Sequence, residues 1–245
     1  MKFFDLVNIS ETYLEIVNPT NTDKLLAAGT VLGLNEEMRV IDYGCGYGET
    51  LALWGEYNEI TGVGIDIREH ACERARQKMG ERGFGNNIRI VCANGAEYPT
   101  NREKFDVAVC LGSTFIWKGF RPALKGMKEA VHENGKLVVG ELYWRNSRVP
   151  PEYAQSEKVH TEMELLKIIR EEGYDLEYML RSTEDEWDNY QSTNWFGLIQ
   201  WMEENPDHAD FKEVAGFLRK IQDDYFRYGR EYLGWAIFIL NPARY

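Results

Sequence analysis

No two cysteines in this 245-residue chain have the C-x-x-C spacing of a zinc or dithiol site, and only Cys45, Cys72, Cys92 and Cys110 are present. The four histidines, His70, His132, His160 and His208, are scattered. Without clustered thiolate or imidazole donors no metal centre is expected, and the cysteines read as small apolar fillers. Long apolar runs are missing as well. No stretch reaches the ~20 residues that a bilayer span needs, and the opening MKFFDLVNISE has no long apolar run. The expectation is a soluble, cytoplasmic protein. Positive charge is in deficit, with 28 Lys and Arg against 40 Asp and Glu for a net charge of −12. Arg68, Arg74 and Arg76 are interleaved with Glu69, Glu73 and Glu81, as on a solvated helix face. An acidic chain without a basic patch repels polyphosphate, so neither nucleic acid nor an anionic membrane is expected as a partner. Internal repeats and low-complexity segments are also absent.

What remains is a composition, 44% hydrophobic, that can bury a sizeable core. Apolar strand-like runs alternate with amphipathic stretches. Val40-Ile41, Ile60–Ile65, Ile88–Cys92, Phe105–Leu111 and Lys136–Val139 read as strands, with helices between them. Near-continuous apolar strands separated by helices predict an α/β fold, a parallel sheet covered on both faces. Ahead of it, residues 1–34 read as cap helices, the first ending at Asn18-Pro19. The second has Thr22 as N-cap and Gly33 as its stop. Residues 142–160 carry Pro150-Pro151 and little periodicity, which predicts a loop crossing the ligand end of the sheet. Thr161-x-x-Glu164 is a capping box that opens a further helix, and Leu176–Leu180 and Trp235–Leu240 read as the last two strands. Residues 184–233 form a helical insertion of roughly 50 residues between these two, where a connection usually takes 2–6. The core is then 35–183 with 234–245, and the insertion is placed to act as a lid.

The chemistry is concentrated in RVIDYGCGYGET, Arg39–Thr50, where a strand runs into Gly44, Gly46 and Gly48 and then into a helix. Glycine permits so tight a turn against a ligand. The carboxylate of Asp66 follows roughly 20 residues later at a strand tip, where a ribose diol is held in nucleotide folds. The dinucleotide pattern G-x-G-x-x-G, with its third glycine one turn into the helix, is not met, and no glycine loop ends in Lys-Ser/Thr. An acidic residue, Asp42, stands two positions before strictly alternating glycines, which fits a nucleoside without a pyrophosphate.

These residues resemble the class I S-adenosylmethionine-dependent methyltransferases. That family's D/E-x-G-x-G-x-G loop matches Asp42–Gly48, its acidic ribose binder matches Asp66, and its V-x-G-D-A-x-x-L-P segment matches Val91–Pro99 with Asn94 in place of aspartate. An amide oxygen still accepts a hydrogen bond from an adenine amino group. GSTFIWKGF (112–120), GELYW (140–144), WDNY with the later NW (187–195) and REYLGW (230–235) are similar to a group of uncharacterised bacterial methyltransferases over nearly the whole chain. The resemblance implies a Rossmann-like seven-stranded sheet in the order 3-2-1-4-5-7-6, the last strand antiparallel. It implies S-adenosylmethionine as cofactor, leaving S-adenosylhomocysteine, held by Asp42, Gly44, Cys45, Gly46, Gly48, Asp66, Ile67, Asn94, Gly95, Ala96 and Leu111.

A sulfonium donor is already reactive, so such a protein has mainly to align an acceptor and keep water out. Aromatic faces suit a cation, at about 0.5–2 kcal/mol per contact. Tyr13, Trp117, Tyr143, Trp144, Trp187, Tyr190 and Trp195 are the candidate substrate wall, against the alternative of plain lid packing. Glu141, at the carboxyl end of the fifth strand, is the candidate base; His160 reads better as an exposed helix-start residue. The D/N/S-P-P-Y/F/W signature of transfer to exocyclic amines of nucleic acids is replaced by Leu111-Gly112-Ser113-Thr114, and there is no Pro-Cys pair. A small-molecule acceptor is therefore expected. A non-catalytic cofactor-binding protein and, less favoured, an NAD(P)-dependent dehydrogenase are the alternatives, and a homodimer stays open.

Overall fold

The computed structural model describes residues 1–100, 103–146, 148–156 and 159–244. In chain order its elements are α1 (Phe3–Ser10), α2 (Thr22–Leu32), β1 (Arg39–Tyr43), α3 (Glu49–Asn58), β2 (Thr61–Asp66), α4 (Glu69–Glu81), β3 (Ile88–Cys92), β4 (Phe105–Leu111), α5 (Phe120–Ala130) and β5 (Val131–Trp144). They continue as α6 (Pro151–Ser156), β6 (His160–Thr161), α7 (Glu162–Glu171), β7 (Tyr174–Arg181), α8 (Glu184–Glu204), α9 (Phe211–Asp224), α10 (Arg230–Tyr232) and β8 (Leu233–Pro242). The sheet order is β3-β2-β1-β4-β5-β8-β7, with β6 paired to β5 off this path. β1 to β5 are parallel, and β8 runs antiparallel to both of its neighbours. The predicted strand order is therefore present, with one two-residue strand added.

Successive residues of the buried strands feed opposite cores. Val40, Val107, Val109, Val138 and Ile237 face one cluster with Leu25, Leu51 and Trp54 from α2 and α3. Ile41, Ala108, Cys110, Val139 and Phe238 face the other, with Leu124 and Met127 of α5 and Ile169 of α7. This two-sided burial is why the strands lack polar alternation. A third cluster joins α1 to the insertion through Leu6, Leu198, Val214 and Leu218. Gly197 of α8 makes that junction, since a Cβ there would lie 2.7 Å from the carbonyl oxygens of Ile9 and Ser10.

Three expected boundaries differ. Residues 142–160 are not a plain loop: β5 continues to Trp144 because β8 pairs with it residue for residue down to Leu233, α6 follows the proline pair, and His160-Thr161 adds a strand at the tip of β5. Asn21, not Thr22, caps α2, its Oδ1 accepting the Lys24 N–H at 2.9 Å. The first helix stops at Ser10 rather than at Asn18, and the Arg74 guanidinium donates to the carbonyls of Thr12 and Leu14, taking acceptors that a continuing helix would use.

The strand order reverses between β1 and β4, so the carboxyl ends of β1, β2, β4 and β5 open onto one crevice, the expected ligand position. Gly140 sits there on β5, and a Cβ at it would collide with the indole of Trp235 and lie 3.0 Å from Leu111 Cα. Gly140→Ala should destabilise the fold by about 1–3 kcal/mol, read as a lower urea midpoint at unchanged slope; an unshifted midpoint would show that the β5–β8 contact yields.

Candidate active site

The glycine loop after β1 is tied back to the end of β2. Gly44 N–H and Cys45 N–H both donate to the Ile65 carbonyl, at 2.7 and 3.0 Å, and Gly46 N–H donates to Asp66 Oδ2 at 3.0 Å. Gly44 and Gly46 have φ of +71° and +54°, a region costly for any residue with a Cβ. Their side-chain space is taken by protein: Ser113 crowds Gly44, and Val17 Cγ2 stands 2.6 Å from a Cβ built on Gly46. At Gly48 the close neighbours are Ala75 and Met79 of α4. So the alternating glycines serve packing around the crevice as much as room for a ligand.

Asp66 is buried, with Oδ1 accepting the Arg68 N–H at 2.9 Å. Each carboxylate oxygen keeps further lone-pair capacity toward a diol. The Arg68 guanidinium pairs with Glu11 at 2.6 Å and approaches Asp66 at 3.5 Å. Burial raises the Glu11 pKa and the Arg68 charge works against that rise. The three charges join the strand end to the segment after α1. Asp42, at the tip of β1, is buried too, and desolvation together with the neighbouring Asp66 charge pushes its pKa up to about 8. It lines a small recess beside Gly44, Cys45 and Leu111.

A cavity of 370 Å³ opens over this machinery, lined among others by Gly44, Asp66, Ile67, Asn94, Gly95 and Leu111. Ile67 is 57% exposed there, an apolar face for a planar base. Asn94 holds its own turn, accepting from Ala96 N–H at 3.2 Å and donating to Glu97 Oε1 at 2.9 Å. A carboxylate with spare lone pairs, an apolar face and an amide rim are groups that suit a nucleoside. The sequence pattern did not mark the wall opposite: Phe3, Phe4 and Val7 of α1, with Phe115 of the turn after β4. Its one trace in the sequence is that MKFFDLV is too apolar for a free tail.

Next to it lies a cavity of about 1050 Å³, and the two share Asn18, Gly112, Phe115 and Tyr190. Glu141 lines the larger one beside Thr114, His160 and Trp235. Thr114 Oγ1 donates to Glu141 Oε2 at 2.5 Å, and the Leu142 N–H donates to Oε1 at 2.9 Å. Burial raises the Glu141 pKa, partly offset by these donors and by His160. Asn18 fixes the shared wall, its Nδ2 donating to the Leu111 carbonyl at 3.2 Å.

The seven candidate aromatic residues are not brought together. Trp187 and Tyr190 line the large cavity. Trp117 packs edge-on against Tyr43, Tyr143 is buried in β5, Trp144 meets Tyr153, and Trp195 packs on Tyr225 and Phe226. Tyr13 is 49% exposed and lies against Phe196. All four cysteines are free, and no group of three His, Cys, Asp or Glu side chains among the described residues could hold a metal ion. Among the described residues no helix is long and apolar enough to cross a membrane.

A family profile described as a methyltransferase domain matches residues 40–135. The chain is 32% identical over 241 residues to the uncharacterised protein YjhP of Escherichia coli, covering 96% of this chain and 97% of that one. It is similar to a crystal structure of an S-adenosylmethionine-dependent methyltransferase from Geobacter sulfurreducens in complex with S-adenosylhomocysteine, with TM-score 0.90, 32% identity, and 97% and 98% of the two chains covered. A Thiobacillus denitrificans methyltransferase with the same ligand gives TM-score 0.91 at 29% identity, with 99% and 100% covered.

Asp42 gives a pH-dependent prediction. Its folded pKa is raised from 3.8 to about 8, so its contribution to stability is whole below the unfolded value and is lost as pH rises through about 8. Asp42→Asn should therefore gain stability relative to wild type as pH is taken from 6 to 9, on the order of 1 kcal/mol or more, measured by urea unfolding of the ligand-free protein. Parallel pH curves would mean that Asp42 ionises normally.

Proposed function

The chain belongs to the S-adenosylmethionine-dependent methyltransferases, and from that membership we propose that it methylates a small molecule held in the cavity of about 1050 Å³ beside α8. One observation carries the reading: a cavity of acceptor size adjoins the nucleoside cavity and has one half-buried carboxylate, Glu141, in its lining. A non-catalytic cofactor binder has no use for such a chamber. The net charge of −12 also speaks for a small acceptor rather than a polyanion.

The bound donor supplies a methyl group on a sulfonium. Asp66 holds the ribose diol, Asn94 and Ile67 the base, and the Gly44–Gly46 turn fixes the floor. Asn18 and Gly112 form the wall between donor and acceptor, so their packing sets the line of approach. Glu141 takes the proton of the acceptor's hydroxyl or amine. Thr114 and the Leu142 N–H orient the carboxylate, and burial strengthens it as a base. Trp187, Tyr190 and Trp235 exclude water and offer faces to the dispersing positive charge. Residues 184–233 act as the lid and 1–34 as the cap. Cap and lid share the apolar junction of Leu6 with Leu198, so they move together.

Calorimetry with S-adenosylhomocysteine should show one site per chain; silence toward it and S-adenosylmethionine at millimolar concentration would overturn the reading. Asp66→Ala should weaken that binding by about 1–3 kcal/mol. With an acceptor found by labelled-methyl screening of metabolite extracts, Glu141→Gln should lower kcat by about 10²–10⁴-fold and spare S-adenosylhomocysteine affinity. Because the Glu141 pKa is raised, wild-type kcat/KM should fall as pH drops through it. An acid limb that persists in Glu141→Gln would assign the base elsewhere.

A further inference from the structure

A third cavity, of about 280 Å³, lies inside the insertion between α1, α8 and α9. Trp187, Tyr190, Gln191 and Leu233 line both it and the large cavity, so only their side chains divide the two. Three of these sit on one face of α8 at i, i+3 and i+4. Two of them carry unused hydrogen-bonding capacity at the division. Trp187 is 7% exposed and its Nε1–H has no partner, which costs on the order of 1–3 kcal/mol in a buried donor left unmade. Gln191 is half-buried, and its amide makes no hydrogen bond among the described residues. Beyond them Val7, Phe217, Ile221 and Tyr225 form the apolar side of the inner chamber, and Ser10, Glu11, Asn194 and Asp224 its polar side. There α9 passes into a π-helical turn, Tyr225–Gly229, with more residues per turn than an α-helix, and both Tyr225 and Gly229 line the chamber. Tyr225 is fixed by its hydroxyl donating to Asp188 Oδ1 at 2.6 Å.

We propose that the acceptor is an elongated, largely apolar molecule whose nucleophilic head lies by Glu141 and whose second arm fills the inner chamber. A carbonyl or ether oxygen between them accepts the Trp187 N–H and is held by Gln191. The assignment rests on the methyl-transfer reading for its head end only. A compact polar acceptor would leave the indole donor unpaired and the apolar side of the chamber, at Val7, Phe217 and Ile221, against water. An arm of several methylenes fills the chamber, and an oxygen at the division satisfies the donor. The Gln191 side chain can turn aside to admit the arm without giving up a hydrogen bond.

The n-alkyl 4-hydroxybenzoates, methyl to octyl, combine a phenol, a central ester and an arm of graded length. They are titrated calorimetrically into the S-adenosylhomocysteine-loaded protein. Affinity should rise by about two- to fourfold per methylene until the chamber is full. Ile221→Trp, which fills the chamber, should abolish that gain and leave the methyl ester and S-adenosylhomocysteine binding unchanged. Trp187→Phe and Gln191→Leu should each weaken the hexyl ester about three- to tenfold more than they weaken 4-hexylphenol, which lacks the central oxygen. Affinity independent of arm length in wild type overturns the proposal, as does a gain that survives in an Ile221→Trp protein that still binds S-adenosylhomocysteine. Should Ile221→Trp not fold, the ester against the alkylphenol in the Trp187 and Gln191 variants decides. Failure of wild type to bind S-adenosylhomocysteine is a different result and counts against the methyl-transfer reading.

Discussion

The carboxylate of Asp66 is the tie on which the site depends. One oxygen fixes the glycine turn through Gly46, and the other fixes its own strand exit through the Arg68 N–H. The Arg68 side chain carries the same constraint outward to Glu11, and Glu11 belongs to the segment that covers the crevice. Three charges in a row, each largely removed from water, are stable only as a set, because any one alone would be an unpaired buried ion. Asp66, Arg68 and Glu11, all in the lining of the 370 Å³ cavity, are thereby joined in one electrostatic chain.

Around that tie the molecule shields two further carboxylates, Asp42 fully and Glu141 in part, and burial raises the pKa of each. Asp42 lies under the glycine turn next to Asp66, and the like charge adds to the cost of its ionisation. Glu141 has no like charge among the causes of its shift and is steadied by Thr114 and a backbone amide, so burial makes it a stronger base without locking it neutral. A site handling a cationic donor gains from both. Charge that is costly in the empty crevice becomes compensated when the donor's charge arrives.

Much of this was legible in the sequence because it is local. The glycine spacing, Asp66 at a strand tip, the Thr161 capping box and the strand order follow from patterns a few residues long or from the family resemblance carried on them. The wall of the large cavity was legible only in part, because it is assembled from distant segments. Glu141 and Tyr190 stood out singly in the sequence, but that they meet Asn18 and Gly112 follows only from the fold. Aromatic content alone misled on position: Trp117 and Trp144 have the composition of a substrate wall, yet Tyr43 and Tyr153 claim their faces. Trp187 differs from them in its helical spacing with Tyr190 and Gln191, a one-face pattern that the amino-acid order itself carries. The end of α1 was misplaced because Arg74, some 60 residues away, supplies the competing donors.

β8 sits between β5 and β7, yet it follows every other strand in the chain. During synthesis the ribosome has therefore released the whole parallel half of the sheet, with the β5 edge open and apolar, before its neighbour exists. Until Trp235–Leu240 emerges, that edge is a template for pairing with another nascent chain. Ribosome stalling or a stop codon ahead of residue 233 would leave a product that holds the donor loop and lacks the strand that closes the sheet, with aggregation rather than partial activity as its fate.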